Sequence, residues 1–256
     1  MIVTTAGRTS EQYIEQAKLV AYELNIPYIK RNKQSLNKLH EQHENIVVVG
    51  KAGIQLYHRE GKDPYFFHPN IAMIRVKRMQ NGEHDPLVDA ADLQEGDSFL
   101  DCTLGYASDS IVASYAVGEN GRVTGIEASI LLAYLTKQGL QNWEHDYPPV
   151  QQAMRKINVL TGDHYTYLQQ MPSDSVDVVY FDPMFEESIA ESNALQTLAH
   201  FTDFSPLTEE TIAEAKRVAR KKVVLKDHFR STRFQQFGFR QQIRKTSKFH
   251  YGVIDK

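Results

Sequence analysis

Cysteine occurs once in 256 residues, at Cys102. One thiol excludes an internal disulfide framework and fits a reducing compartment such as the cytoplasm. No activating partner lies near it in sequence, so Cys102 reads as a small core residue. The ten histidines show no H-x-x-x-H spacing and there is no C-x-x-C, so no metal site is expected. Long apolar runs are missing too. Mostly apolar stretches such as Ile46–Val49 and Val176–Phe181 are far too short to span a bilayer, and no membrane partner is expected. The start, Met1-Ile2-Val3-Thr4-Thr5, lacks the basic and then long apolar pattern of a secretory leader. No repeat or low-complexity tract is visible.

What is present is ordinary for a globular chain: 41% hydrophobic and 24% charged residues, enough for a core of normal size. The net charge of −3 conceals an asymmetry. From Lys216 to Lys256 there are 13 basic and 2 acidic residues, a net of +11, leaving −14 on residues 1–215. Such a segment, with Arg244, Lys245 and Lys248 close together, attracts a polyanion such as RNA, or is a solvated basic face.

Strand-like and helix-like segments alternate throughout, the pattern of an α/β protein. Met1–Thr5 reads as a strand, followed by a helix over about Ser10–Leu24 with a Thr9/Gln12 capping box. A second helix is expected over Leu36–Glu44, then strands Ile46–Val49 and Ile54–Tyr57 joined by Gly50-Lys51-Ala52-Gly53. Residues 1–60 therefore form a small α/β domain, and residues 61–90 read as a connection. Within it Arg75, Lys77 and Arg78 stand together, either to contact phosphate or as a linker kept in solvent. From residue 91 to 256 the beat is regular. Strands are expected at Ser98–Asp101, Arg122–Glu127, Ile157–Gly162, Val176–Asp182 and Lys222–Lys226. Helices fill the gaps at Ser108–Val117, Ser129–Asn142, Tyr165–Met171 and Thr208–Ala219, and a last antiparallel pair covers Phe237–Arg240 and Phe249–Ile254. This predicts a Rossmann-like, mostly parallel sheet that binds ligands at the carboxyl ends of its strands.

Glycine is scarce where a dinucleotide site would need it. The loop Asp101-Cys102-Thr103-Leu104-Gly105-Tyr106-Ala107-Ser108-Asp109 follows a strand and opens a helix, yet holds one glycine rather than G-x-G-x-x-G. Pyrophosphate needs close backbone approach at the second glycine, so NAD is a poor fit. S-adenosyl-L-methionine (SAM) carries no phosphate. An acidic strand end can meet its ammonium, and backbone N–H groups can meet its carboxylate. Glu127, followed by Ala128, ends the next strand, where a carboxylate can accept from both ribose hydroxyls; the plain alternative is an acidic first turn of a helix. Gly162-Asp163-His164 ends the third strand, where an acidic group can take the adenine amine.

Tyr180-Phe181-Asp182-Pro183-Met184-Phe185 ends the fourth strand in an Asp-Pro-x-aromatic loop. This resembles the Asp/Asn-Pro-Pro-Tyr/Phe loop of methyltransferases acting on planar amines, with Met184 in place of the second proline. The lone pair of such an amine is delocalised into the ring, so it is a poor nucleophile. Asp182 and the Pro183 carbonyl can accept its two N–H bonds and hold the nitrogen in line with a methyl donor. Proline fixes the loop, and Phe185 offers a face on which a base can stack. A planar base or amide fits, whether in RNA, in DNA adenine or in a protein glutamine; a SAM-binding, RNA-associated protein without turnover is the reading outside enzymes. Lys226 closes the fifth strand, either to contact RNA phosphate or to pair with an acidic loop.

Taken in order, Asp101–Asp109, Tyr180–Phe185, Val223-Val224-Leu225-Lys226 and Phe249-His250-Tyr251-Gly252 resemble the RsmJ-type family of small-subunit rRNA guanine-N2-methyltransferases, and more closely its Gram-positive branch. Tyr106-Ala107 stands where the family has its second glycine. The resemblance, over roughly residues 60–256, implies a class I methyltransferase fold and SAM as cofactor, with S-adenosyl-L-homocysteine as its product. It places Asp101, Gly105, Asp109, Glu127 and Asp163 at the cofactor and Asp182 at the substrate amine, and it implies a ribosomal RNA partner.

Overall fold

A computed structural model of the chain describes residues 1–61, 63–144, 147–183, 201 and 206–256. It divides into two compact units, the first from Met1 to Phe67 with Phe201, the second holding residues 68–183 and 206–256.

In the first unit β1 (Ile2–Thr5) pairs in parallel with β2 (Asn45–Gly50), and β2 turns back antiparallel into β3 (Gly53–His58). Helix α1 (Glu11–Glu23) buries Ala17, Val20 and Ala21. Another cluster joins Ile2, Leu39, Ile46 and Val48, with Leu39 supplied by α2 (Leu36–His40). The Ser35 hydroxyl accepts from Lys38 N and caps α2. The helix is shorter than the expected Leu36–Glu44.

The second unit is a seven-stranded sheet in the order β6-β5-β4-β7-β8-β10-β9. Strands β4 (Ser98–Asp101), β5 (Arg122–Glu127), β6 (Ile157–Thr161), β7 (Val176–Phe181) and β8 (Ala219–His228) run parallel, and β10 (Phe249–Asp255) is antiparallel to both β8 and β9 (Arg240–Gln242). All six residues of the central strand β7 are buried. Helices α5 (Ser108–Ala116), α6 (Ile130–Asn142) and α8 (His164–Gln170) follow β4, β5 and β6, and α9 (Glu209–Val218) precedes β8. Capping side chains start three of them: Ser129 accepts from Leu132 N, Asp163 from Thr166 N and Thr208 from Thr211 N, whereas α5 starts from Ala107 without a side-chain cap. Helix α9 has Glu209 and Glu210 in its first turn and Lys216 and Arg217 in its last, which complements its dipole.

Residues 61–90, expected as a connection, contain two helices. One, α3 (Asn70–Gln80), buries only Ala72 and Val76, a stripe too narrow to mark a helix in so basic a stretch. The other, α4 (Pro86–Ala91), starts where Asp85 caps Leu87 N and proline takes the first position. A further helix, α7 (Pro148–Arg155), was not expected either. Strand β9 begins later than the expected Phe237, because Gly238 turns the chain with φ of 76°. Among the described residues no helix is long and apolar enough to cross a membrane.

Candidate active site

The carboxyl ends of β4, β5, β6, β7 and β8 share one edge of the parallel sheet. Asp101, at the end of β4, is 1% exposed and braces the loop that follows. One carboxylate oxygen accepts from Thr103 N at 3.0 Å, and the other from the Ser110 hydroxyl at 2.7 Å. Burial raises its pKa to about 7 against those hydrogen bonds. The loop turns through Gly105 at φ 49° and then Ala107 at φ 58°. Ala107 thus takes the left-handed conformation where a glycine is usual, at a cost of roughly 1–2 kcal/mol. Its side chain is wholly buried.

Glu127 lies under that loop. Gly105 N donates to Oε2 at 3.0 Å and Ser129 N to Oε1 at 2.9 Å, while Thr136 Oγ1 donates back to Gly105 O at 2.7 Å. Half-buried Ala128 follows Glu127 directly. On the neighbouring strand β6, Asp163 is exposed and accepts from Thr166 through Oδ1. Burial works against its ionisation, but the Thr166 bonds win and lower its pKa. His164 stacks edge-on to Phe181 with centroids 5.7 Å apart. Acidic groups therefore stand at the ends of three adjacent parallel strands.

Asp182 follows β7, and its backbone N donates to Thr103 Oγ1 at 2.6 Å, which ties the β7 loop to the β4 loop. Its Oδ2 accepts from Lys226 Nζ at 2.6 Å. Its Oδ1 is buried and accepts no hydrogen bond among the described residues. Burial, opposed by Lys226 and reinforced by the like charge of Asp109, raises the Asp182 pKa to about 6. Pro183 is half-buried beside it. Phe185, the expected stacking face, lies outside the described residues.

Lys226 resolves to the pairing alternative. Its ammonium bridges Asp182 and Asp109 Oδ2, the latter at 3.0 Å. Burial opposes its charge, but the two carboxylates outweigh that and raise its pKa. Asp109, expected at the cofactor, is instead the hub of a buried network. Its Oδ2 also accepts from the Tyr180 hydroxyl at 2.8 Å, and its Oδ1 from Arg75 Nη1. Burial resists ionisation of Asp109, yet Lys226 and Arg75 hold its pKa well below the carboxylate range. Both oxygens are thereby engaged.

Arg75 is likewise not a free phosphate contact. Its fork grips Asp85 twice at 2.7 Å and reaches Asp109, and its side chain is 18% exposed. Arg78 pairs with exposed Glu83 at 2.7 Å. Its neighbour Met79 lines an open groove with Tyr115 and Gly118 at the far end of α5, so Arg78 is not brought to the Asp182 edge. Arg244, Lys245 and Lys248 do reach that edge, because Phe249 pairs with His228 at the end of β8. The Arg244 guanidinium lies 5.7 Å from the Tyr251 ring, and Lys245 and Lys248 are exposed. Beside them Phe229, 38% exposed, packs on His228 at 4.6 Å and carries Arg230 over its ring at 5.0 Å. The residues not anticipated from sequence are Tyr180, Asp85, Phe229 and Tyr251, whose position opposite Lys226 was legible only once the strand register was known.

Comparisons with known proteins bear on family and fold. Residues 30–250 match the family model "Putative SAM-dependent methyltransferase". The uncharacterized protein YpiP of Bacillus subtilis (strain 168) is 51% identical over 254 residues, which is 99% of this chain and 98% of that protein. The ribosomal RNA small subunit methyltransferase J of Hydrogenovibrio crunogenus is 28% identical over 59% of this chain. The matched stretch spans 55% of that enzyme's length. A crystal structure of the SAM-dependent methyltransferase NGO1261 from Neisseria gonorrhoeae superposes with a TM-score of 0.62 and 16% identity, over 100% of this chain and 96% of that one. That likeness is one of fold.

Proposed function

Since the chain belongs to the family of SAM-dependent methyltransferases, and SAM is its cofactor, we propose that its acceptor is the exocyclic amine of a base in ribosomal RNA, guanine N2 being favoured. The observation that carries this reading is the bare Oδ1 of Asp182. A buried carboxylate oxygen without a donor is costly, and a ligand N–H removes the cost. Support for RNA comes from the basic residues Arg244, Lys245 and Lys248 at the same edge, and from relatives named as ribosomal RNA small subunit methyltransferases.

The donor set suits the cofactor. Glu127 and the Gly105 loop that it holds would lie against the cofactor, the carboxylate at the ribose. SAM supplies an electrophilic methyl group when bound. The protein's own contribution is positioning. Asp182 Oδ1 and the Pro183 carbonyl accept the amine N–H bonds and point the nitrogen at the methyl. Lys226 and Thr103 fix the carboxylate and its backbone. The proton released after transfer passes to Asp182 Oδ1, a group already raised to about 6.

The test is transfer of labelled methyl from SAM to unmodified small-subunit rRNA, followed by nuclease digestion and mapping of the modified base. Asp182→Ala should lower the rate by at least ~100-fold, the scale for removing one positioned polar group, with SAM affinity retained. Methylation found on protein or DNA and not on RNA would overturn the substrate; wild-type transfer by Asp182→Ala would overturn the role of Oδ1.

A further inference from the structure

The first unit carries a charge arrangement that methyl transfer does not use. Three chain segments run there side by side in one direction: β1, β2 in parallel with it, and Tyr28, which bridges Val3 in parallel on the other side. Their carboxyl ends reach one edge, and each brings basic side chains to it. Arg8 comes just beyond β1, Lys30, Arg31 and Lys33 follow Tyr28-Ile29, and Lys51 directly follows β2. Hydrogen bonds pin the three segments together. Ala6 N donates to Val49 O at 2.9 Å, Ile29 N to Val3 O at 2.8 Å and Arg31 Nη1 to Thr5 O at 3.2 Å. Gly50 permits the approach of β1 and β2 at this edge, since a Cβ there would lie 2.7 Å from Ala6 Cβ. Asn32 and Lys33 both take positive φ and turn their loop sharply at the edge.

The charges are unmatched. Arg8, Lys30, Lys33 and Lys51 are exposed. None of the five bases forms an ion pair among the described residues, whereas Lys18, Lys38 and His58 each meet a glutamate. Several acidic residues lie toward the opposite edge, while Glu11 opens α1 on the basic side. Glu23 ends α1, Glu44 precedes β2, and Glu60 follows β3, whose His58 faces Asn45 in register. Adjacent strands lie roughly 5 Å apart, so a single run of polyanion backbone can meet all three loops. Five uncompensated cations repel one another and are relieved by phosphates, with release of counterions.

We infer that this edge of the first unit binds the phosphate backbone of RNA, giving the enzyme a grip on its substrate in addition to the methyl-transfer residues of the second unit. The inference rests on the reading of the substrate as RNA. It is tested with the full chain and a short fluorescein-labelled RNA hairpin, titrated over a range of salt. Lys30→Glu with Lys51→Glu should weaken binding at least ~10-fold and flatten the salt slope by roughly 2, one per lost phosphate contact. Arg59→Glu reverses a charge just beyond β3, at the opposite edge, and should leave both nearly unchanged. SAM affinity and thermal unfolding should be those of wild type in both. A Lys30→Gln, Lys51→Gln variant should give about half the effect and guards against misfolding of the reversal. Equal weakening by the two reversals would overturn the inference, as would wild-type hairpin binding by Lys30→Glu with Lys51→Glu. If the wild-type protein itself does not bind the hairpin, the RNA reading fails and this inference fails with it.

Discussion

Replacing Lys226 with methionine should move the pH dependence of methyl transfer about two units toward alkaline pH. Lys226 Nζ lies 2.6 Å from Asp182 Oδ2 and its side chain is 21% exposed, so solvent screens the pair weakly. Methionine keeps the aliphatic stem and removes the charge. A unit charge at about 4 Å and an effective dielectric near 20 is worth about 4 kcal/mol, or roughly 3 pKa units at about 1.4 kcal/mol each. Water entering beside the methionine and Arg75 acting on Asp109 lower this to roughly 2 units. Asp182, at about 6 in the wild type, would then titrate near ~8. At pH 7 its ionised share falls from about nine-tenths to about one-tenth, and transfer should slow about tenfold if the carboxylate must be ionised to accept the amine. The assay is a single-turnover pH–rate profile with saturating SAM. The wild-type rate should rise through about pH 6 and the Lys226→Met rate through about 8, converging by pH 9. Lys226→Arg keeps a charge and should hold its limb near that of wild type. A limb that stays at the wild-type position in Lys226→Met, or a deficit that persists at pH 9, would refute the reasoning.

Glu127→Ala should weaken SAM binding about 10–100-fold by calorimetry, since charged hydrogen bonds of roughly 1.5–3 kcal/mol are lost at the ribose and at Gly105 N. Arg75→Met leaves Asp85 and Asp109 buried without their shared cation and should cost about 3–5 kcal/mol in urea unfolding. Asp101 should make stability fall with rising pH. Its folded pKa, about 7 from burial, exceeds the unfolded value near ~3.9, so the native state holds the extra proton, and the stabilisation is complete below pH ~4 and lost as pH rises through about 7. Asp101→Asn should remove that slope from melting curves taken between pH 5 and 8, while an unchanged slope would assign it to another group.

The parallel sheet was legible because its strands are short apolar runs that end in chemistry-bearing residues. Asp101, Glu127, Asp163 and Asp182 stand at or just beyond strand ends, and that placement depends only on period and punctuation. The helices missed show the converse. Helix α3 exposes Ile71 at 59% and Ile74 at 58% while burying only Ala72 and Val76. Its sequence therefore presents large apolar residues on the wrong face and hides its core contacts in small ones. Helix α7 begins with Pro148-Pro149, residues that read as a breaker inside a segment but are tolerated in a first turn.

The ion network was illegible for a different reason. Asp109 meets Arg75, Tyr180 and Lys226 across 34, 71 and 117 positions, and no local pattern records a contact of that range. The family resemblance placed Asp109 at the cofactor. The fold turns that carboxylate away, into the space between α3, α5, β7 and β8, where the cations of Arg75 and Lys226 wait for it. The same turn decides what Asp182 can do. Two carboxylates near one ammonium would compete for it if Arg75 did not also serve Asp109. With Asp109 satisfied from its other side, Lys226 can hold Asp182 by Oδ2 alone. The carboxylate is then fixed in orientation, with Oδ1 accepting no hydrogen bond among the described residues, which is the condition for holding an amine nitrogen in line rather than merely attracting it.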